Sequence, residues 1–195
     1  MRIHKIILAF SFCFIAGRTI AQNGEGVTGK YRAFAVYAGA GPSLFLNNLV
    51  ILKDDVKPFK YAISARVMWE PEHSFVSIGI ETGYFRLYSV HSSQPKADIT
   101  NSAIPLQFVI GMKFSQRFYA TWAMGQSFTI NKVSNTDSAY NFNNTVASLA
   151  DFSATIGYKF AIKPKISYAA EIKGFYSSKY QNEMIALLFI VGFKL

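Results

Sequence analysis

The sequence has very little cysteine and, after its first 21 residues, no long apolar stretch. Its single cysteine, Cys13, lies inside that first segment. A chain that loses the segment has no thiol, so it forms neither a disulfide nor a cysteine-based metal or redox site. No apolar run reaches the roughly 18 residues that indicate a membrane-spanning helix. Runs of basic residues are also absent, which argues against nucleic-acid binding.

Residues 1–21 have the features of a signal peptide. A basic start precedes an apolar core over residues 6–16, and Thr19-Ile20-Ala21 supplies the small residues of a cleavage site. The core is too short for an anchor helix, which needs about 20 residues. We therefore expect export and cleavage before Gln22, and a flexible leader over residues 22–30.

Cleavage would leave a moderate excess of positive charge. It removes Arg2, Lys5 and Arg18, so that 17 basic residues remain against 11 acidic ones, a net charge of +6. The charges are spread over turns, loops and one face of each strand. Anionic lipid headgroups and polysaccharide are therefore better candidate partners than nucleic acid.

The clearest pattern lies over residues 59–90, where apolar residues recur at every second position on both sides of a short turn. Tyr61, Ile63 and Val67 share one face of the first segment, and Lys60, Ser64 and Arg66 share the other. Period-two alternation predicts a strand with one apolar face, and two such segments around a turn predict a hairpin. The polar face consists mostly of small residues with a few charges.

The same pattern recurs along the rest of the chain and predicts eight strands. They cover residues 31–44, 59–70, 76–90, 104–114, 118–128, 151–160, 166–173 and 184–195. Short turns at 71–74, 115–117 and 161–165 alternate with longer polar connections at 45–58, 91–101, 131–144 and 177–183. This alternation is typical of outer-membrane barrels with short periplasmic turns and longer extracellular loops.

We therefore predict that residues 31–195 form an all-β fold, an eight-stranded antiparallel up-and-down transmembrane β-barrel. A lipocalin-like soluble barrel is the alternative, with the apolar face inward. Its water-facing surface would then be small and nearly uncharged. Aromatic residues also favour lipid, because they form two predicted girdles, Trp69, Phe114, Phe118 and Phe160 beside the turns and Tyr84, Tyr88 and Phe128 near the loops.

Three short motifs carry a family resemblance. They are Tyr37-Ala38-Gly39-Ala40-Gly41-Pro42-Ser43, Ala103-Ile104-Pro105-Leu106 and the closing Gly192-Phe193-Lys194-Leu195. With the strand plan, they make the chain resemble small outer-membrane β-barrel proteins that include the PorT-like proteins, with a general plan similar to OmpA and OmpX. The resemblance implies residence in the Gram-negative outer membrane and no catalytic residues, and some PorT-like members are linked to protein secretion.

The resemblance also implies an assembly signal at the end of the chain. Gly192, Phe193 and Leu195 are similar to the terminal signal that the barrel-assembly machinery reads, with Phe193 and Leu195 on the lipid face. The chain departs from that signal in ending on leucine rather than an aromatic residue. Barrel-assembly machinery is therefore an expected partner during biogenesis, alongside outer-membrane lipid.

His91-Ser92-Ser93 is the one candidate for enzymatic chemistry. It is similar to the His-x-Ser of barrel enzymes that deacylate lipid A. A hydrolase also needs a carboxylate to orient the histidine and donors for an oxyanion. Asp98 is the only acidic residue shortly downstream, and none follows at the spacing of that enzyme family. We expect a polar loop, no enzyme, and neither a metal nor a cofactor.

Charged residues on the small-residue faces predict an ionic network inside the barrel. Its expected members are Arg66, Glu81, Asp151, Glu171 and Lys173, with Arg66 diagonal to Glu81 and Asp151 diagonal to Lys173 across their hairpins. The lumen of an eight-stranded barrel has room for little beyond side chains. We expect a structural plug, and a gated ion path is the alternative.

The sequence leaves three roles open. They are a structural or adhesive barrel that acts through its extracellular loops, an accessory factor for secretion, and an outer-leaflet enzyme. The candidate partners differ accordingly between surface ligands and secretion components.

Overall fold

The computed structural model describes residues 34–46, 55–71, 74–93, 96–135, 142–179 and 181–195. The predicted signal peptide and leader, as well as parts of the four predicted long connections, lie outside these residues. Among the residues described, no helix is long and apolar enough to cross a membrane.

Nine antiparallel strands account for most of the described residues. They are β1 Phe34–Leu46, β2 Val56–Lys57, β3 Phe59–Trp69, β4 Val76–Ser93, β5 Lys96–Lys113, β6 Phe118–Asn135, β7 Phe142–Ile162, β8 Ile166–Ser177 and β9 Asn182–Lys194. Eight of them form a closed ring in chain order, because β1 pairs with both β3 and β9. The two-residue β2 adds only to β4. Closure pairs the backbone groups that an open sheet would leave exposed, and the predicted eight-stranded barrel is confirmed.

The barrel has two unlike ends. At the turn end, β3–β4, β5–β6 and β7–β8 are joined by short connections, and the first residue of β1 lies beside the last residues of β9. The opposite end of the barrel, which we call the loop end, carries the described parts of the remaining connections. The short turns near residues 115–117 and 161–165 match the predicted ones, whereas residues 72 and 73 of the predicted turn at 71–74 lie outside the described residues.

Side chains alternate between the lumen and the outer face, as the sequence pattern predicts. In β3, Ala62, Ser64 and Arg66 are buried, whereas Ile63 and Val67 are exposed. The resulting outer belt is almost entirely apolar. Its exposed members at the middle of the wall include Ile63, Val67, Ile80, Phe108, Ile110, Trp122, Met124, Ile156, Ile172, Leu187 and Phe189.

One predicted face assignment is wrong. Tyr88 was expected on the outer face with Tyr84, but it is partly buried against the core, and its ring centroid lies 4.7 Å from that of Phe45. The register of β4 against β5 shifts between Arg86 and Tyr88. A β-bulge adds one residue to the strand and reverses which positions face the lumen beyond it. Tyr84, before the bulge, still contacts Tyr61, at 6.0 Å between centroids.

Two of the predicted loops are largely strand. Residues 91–93 and 96–101 continue the β4–β5 hairpin, and residues 131–135 and 142–144 continue β6–β7. The four strands therefore extend past the loop end as a projecting sheet, formed by residues 88–93, 96–101, 127–135 and 142–150. Alternation marks a strand only where its two faces meet different surroundings. Strands with water on both faces are held by backbone pairing and need no alternation of apolar and polar residues. The sequence of these segments therefore predicted loops.

Candidate functional site: an ion-paired lumen and a projecting sheet

Four charged side chains form a neutral cluster at the middle of the lumen, and each is at most 4% exposed. Arg66 binds Glu171 through both terminal nitrogens, with Nη1 at 3.2 Å from Oε2, and Nη1 also lies 3.9 Å from Oε2 of Glu81. Lys173 binds Glu81 on the far side. The Tyr119 hydroxyl donates to Glu171 at 2.5 Å. Two positive and two negative charges therefore offset one another where an unpaired charge would be costly.

The cluster brings together four of the five residues predicted for it, with a different geometry. Arg66 lies directly opposite Glu81 in the β3–β4 register rather than diagonal to it. Asp151 does not join Lys173, because Asp151 pairs with Ser177 and Lys173 pairs with Thr155 in the β7–β8 register. The predicted Asp151–Lys173 contact is wrong, since four residues of strand separate the two positions.

Asp151 instead lies at the root of the projecting sheet. Ser148 donates to its carboxylate at 2.5 Å, the Ser178 backbone N–H donates at 3.0 Å, and Ser127 donates as well. The carboxylate is fully buried. These donors replace a counter-charge, and they fix β7 at the irregularity between Gly125 and Ser127 in the β6–β7 register.

An apolar layer closes the lumen between the ionic cluster and the loop end. Phe85 and Phe175 meet edge to face with centroids 5.1 Å apart, and both are at most 2% exposed. Leu87 and Met184 are equally buried in the same core. This layer, together with the cluster beneath it, blocks a continuous water path.

We expect no sustained ion conductance from the wild-type protein in planar bilayers. The paired cluster and the Phe85–Phe175 layer leave no hydrated route from one end to the other. Large, steady wild-type currents would contradict this closed lumen. The variant Glu81→Ala, which leaves Lys173 without its acid, should show brief openings at most.

A second polar group at the turn end was not singled out from the sequence. Glu70 accepts from Tyr37 at 2.6 Å and binds Lys113 at 2.9 Å, and Lys159 donates to the Tyr37 hydroxyl at 3.3 Å. Tyr119 contributes a ring 5.3 Å from the Lys159 ammonium. All five residues occupy inward positions of the period-two pattern. Their place in that pattern was the sequence signal that could have identified them as lumen residues.

The residues of the predicted assembly signal lie at the closing seam of the barrel. Phe193 and Leu195 are on the outer face, 45% and 58% exposed. Gly192 faces the lumen, where a Cβ atom would overlap the Tyr37 ring. Glycine is therefore needed at position 192 for packing, whichever protein reads the terminal residues.

The projecting sheet has a free edge along β7. Strand β8 pairs with β7 only as far as Asp151, so the nine residues Phe142 to Ala150 have no strand partner on that side among the described residues. They extend roughly 30 Å at about 3.3 Å per residue. Leu149 and Phe142 are 77% and 59% exposed. The Lys179 ammonium already reaches the backbone carbonyl of Ala147, at 3.4 Å.

His91 has a carboxylate partner in the structure, and it is Asp98, the acidic residue that follows shortly downstream although not at the spacing of the lipid A enzymes. Its Nδ1 lies 2.5 Å from Oδ1 of Asp98, its cross-strand partner in β5. Both side chains are 64% exposed. A catalytic His–Asp pair is normally shielded so that the carboxylate orients one tautomer, and this pair lies in open solvent on the projecting sheet. Within the residues described, no three metal-ligating side chains cluster together.

Comparisons with known proteins find the fold but no relative in sequence. No protein-family model matches the chain. No curated protein matches it. Among solved structures, Ail, the attachment invasion locus protein of Yersinia pestis, in complex with the heparin analogue sucrose octasulfate, matches with a TM-score of 0.55 at 9% identity over 83% of this chain and 97% of Ail. Neisserial surface protein A matches with a TM-score of 0.50 at 14% identity over 84% and 97%.

The chain has the fold of a small outer-membrane β-barrel. The OmpA-like and OmpX-like plan expected from the sequence is supported by these neighbours. The PorT-like resemblance is not confirmed by them, and it remains a prediction.

Proposed function

We propose that the protein is a non-enzymatic, integral outer-membrane barrel that holds a strand-binding sheet outside the cell. The apolar belt supports membrane residence. Ile80, Ile156 and Ile172 are 59–68% exposed at mid-wall. An apolar patch that encircles a protein is unstable in water and suits a hydrocarbon layer. Assembly into the membrane would use the terminal residues Gly192, Phe193 and Leu195.

Orientation follows from the two unlike ends. Barrels of this type keep short turns in the periplasm and longer connections outside. The turn end then faces the periplasm, and the projecting sheet stands in the extracellular medium. The lumen serves as a rigid core for this scaffold rather than as a channel.

The free edge of β7 is the proposed binding site. An exposed edge offers unpaired N–H and C=O groups on which an extended segment of another protein can add as a further strand. The Lys179 ammonium already donates to the Ala147 carbonyl. This contact supports the proposed site, because it shows that a backbone acceptor of the edge is accessible to a hydrogen-bond donor. A neighbour of the same fold is Ail, the attachment invasion locus protein of Yersinia pestis, which supports a surface role for the present chain.

A short peptide probe tests the edge directly. Residues 127–133 of β6 pair with β7 inside the fold, so the probe is a labelled peptide with the sequence of residues 127–135. Offered free to the refolded barrel, this peptide should bind saturably, and replacing its single isoleucine, Ile130, by proline should abolish binding. Thr145→Lys and Leu149→Lys place charge on the edge strand. Each should raise the Kd of the peptide at least five-fold, as measured by fluorescence anisotropy.

Val133→Lys is the matched control, because it adds the same charge to β6 at a position that pairs with Ile99 of β5 on one side and with Phe142 of β7 on the other. Equal binding of the unmodified and the proline-substituted peptide, or an equal loss of peptide affinity in the control variant, would refute the edge hypothesis.

Pull-down of the detergent-solubilised protein supplies the second check. A stable complex with secretion components that survives Thr145→Lys would favour the accessory-factor role instead.

For the enzyme alternative, we expect His91→Ala and Ser93→Ala to leave lipid A unchanged in cells that express the protein. The reason is the solvent-exposed His91–Asp98 pair, which lacks the shielding that base catalysis requires. Mass spectrometry of extracted lipid A provides the measurement. Loss of an acyl chain that depends on both intact residues would overturn the non-enzymatic assignment.

A further inference from the structure

The surplus positive charge of the lumen is concentrated at the turn end. The central cluster is neutral, whereas Lys113, Lys159, Lys163 and Lys194 line the mouth together with a single acid, Glu70. Glu70 is already engaged by Lys113 and by the Tyr37 hydroxyl. Among the side chains lining this mouth, three positive charges therefore have no negative counterpart.

These lysines surround a cavity of about 430 Å³. The Lys159 ammonium lies over the rings of Tyr37 and Tyr119, at 5.4 Å and 5.3 Å from their centroids. An ammonium group has three donors. The Tyr37 hydroxyl takes one of them at 3.3 Å, which leaves two for a ligand.

A smaller chamber of about 20 Å³ lies deeper and shares Glu70, Lys113, Tyr119 and Lys159 with the outer cavity. Arg66 lines it, and the buried Nε of Arg66 has no hydrogen-bond partner among the described residues. The two cavities form a cationic well that opens at the turn end. The Phe85–Phe175 layer beyond the ionic cluster makes the well blind.

We propose that this well binds a phosphate-bearing anion. Its volume lies within the roughly 300–1,000 Å³ range of small-ligand sites. Lysine ammonium groups bind phosphate as point charges, and they act more strongly where walls of low dielectric constant surround them. The phosphate has two possible sources, a free periplasmic solute or the headgroup of an anionic phospholipid at the rim. The site is separate from the strand-binding edge and independent of it.

Calorimetry on the refolded full chain tests the well. In nanodiscs of phosphatidylcholine at constant ionic strength, titrated inorganic phosphate should bind at one saturable site. Lys159→Gln should weaken that binding at least ten-fold, and the exposed pair Lys163→Gln/Lys194→Gln at least three-fold. Lys132→Gln, on β6 in the projecting sheet, is the control and should leave the affinity unchanged.

A second arm identifies the source. Barrel released from discs that contain phosphatidylglycerol should retain one such lipid in native mass spectrometry if the headgroup is the ligand, and Lys159→Gln should lose it. The exposed double variant covers the case in which Lys159→Gln fails to fold. Absence of both free-phosphate binding and retained anionic lipid would overturn the proposal. Binding that is equally strong in the mouth variants and in the control would do the same.

Discussion

Glu81→Ala should lower the free energy of unfolding by about 3–5 kcal/mol, the usual cost of removing one partner from a buried ion pair. Glu81 is fully buried and binds Lys173 while lying 3.9 Å from Arg66. Its loss leaves the Lys173 ammonium buried, with the ring of Phe85 nearby. Urea titration of the barrel in lipid, followed by tryptophan fluorescence, measures the change.

The double variant Glu81→Ala/Lys173→Met restores neutrality and keeps the Arg66–Glu171 pair. It should be clearly more stable than Glu81→Ala alone, because no unpaired charge remains. Asp98→Ala removes a carboxylate that is 64% exposed and should change stability little. If Glu81→Ala were as mild as Asp98→Ala, the cluster would have to be hydrated rather than dry.

Ile80→Arg should cost roughly 2–4 kcal/mol, because it places a charge on the lipid face near the bilayer midplane. Ile80 lies on the outer face of β4 opposite Val67 and Phe108, well inside the barrel wall. Denaturant titration in lipid vesicles measures the loss. Ile80→Leu keeps the apolar surface and should lie close to wild type.

Phe142→Arg is the matched control for depth. Phe142 and Ile80 are equally exposed in the protein, at 59%. Phe142, however, lies nine residues beyond Asp151, on the projecting sheet. Arginine there meets water, so the change should stay within about 0.5 kcal/mol. Equal losses at the two positions would mean that lipid does not cover the belt.

The barrel wall could be predicted from sequence because its two faces meet different surroundings. Alternation in β3, β8 and β9 places Ile63, Ile172 and Leu187 outward, as observed. The projecting sheet could not be predicted in the same way. Residues 131–135 and 142–144 do not have one face against an apolar surface and the other against water, so their sequence does not alternate. A bulge such as the one before Tyr88 also leaves no sequence signal strong enough to predict.

The lumen cluster could be predicted only in part from the alternation of inward and outward positions. This alternation identified Arg66, Glu81, Glu171 and Lys173 as inward residues, but it could suggest contacts only between neighbouring strands of a hairpin. The Lys173–Glu81 contact joins β8 to β4, and Arg66–Glu171 joins β3 to β8, across the lumen. Such contacts depend on how the closed barrel places opposite walls together, which strand patterns do not specify.

Single-cysteine labelling in whole cells tests most directly whether the barrel crosses the outer membrane with its projecting sheet outside. In a Cys13→Ser background, Thr145→Cys, Ile80→Cys and Lys163→Cys would each react with a membrane-impermeant maleimide only where water reaches them. We predict that Thr145→Cys labels on intact cells, that Lys163→Cys labels only after the outer membrane is permeabilised, and that Ile80→Cys labels in neither case. Labelling of Ile80→Cys in intact or permeabilised cells would contradict it, because a residue 59% exposed in the protein itself is hidden only by lipid.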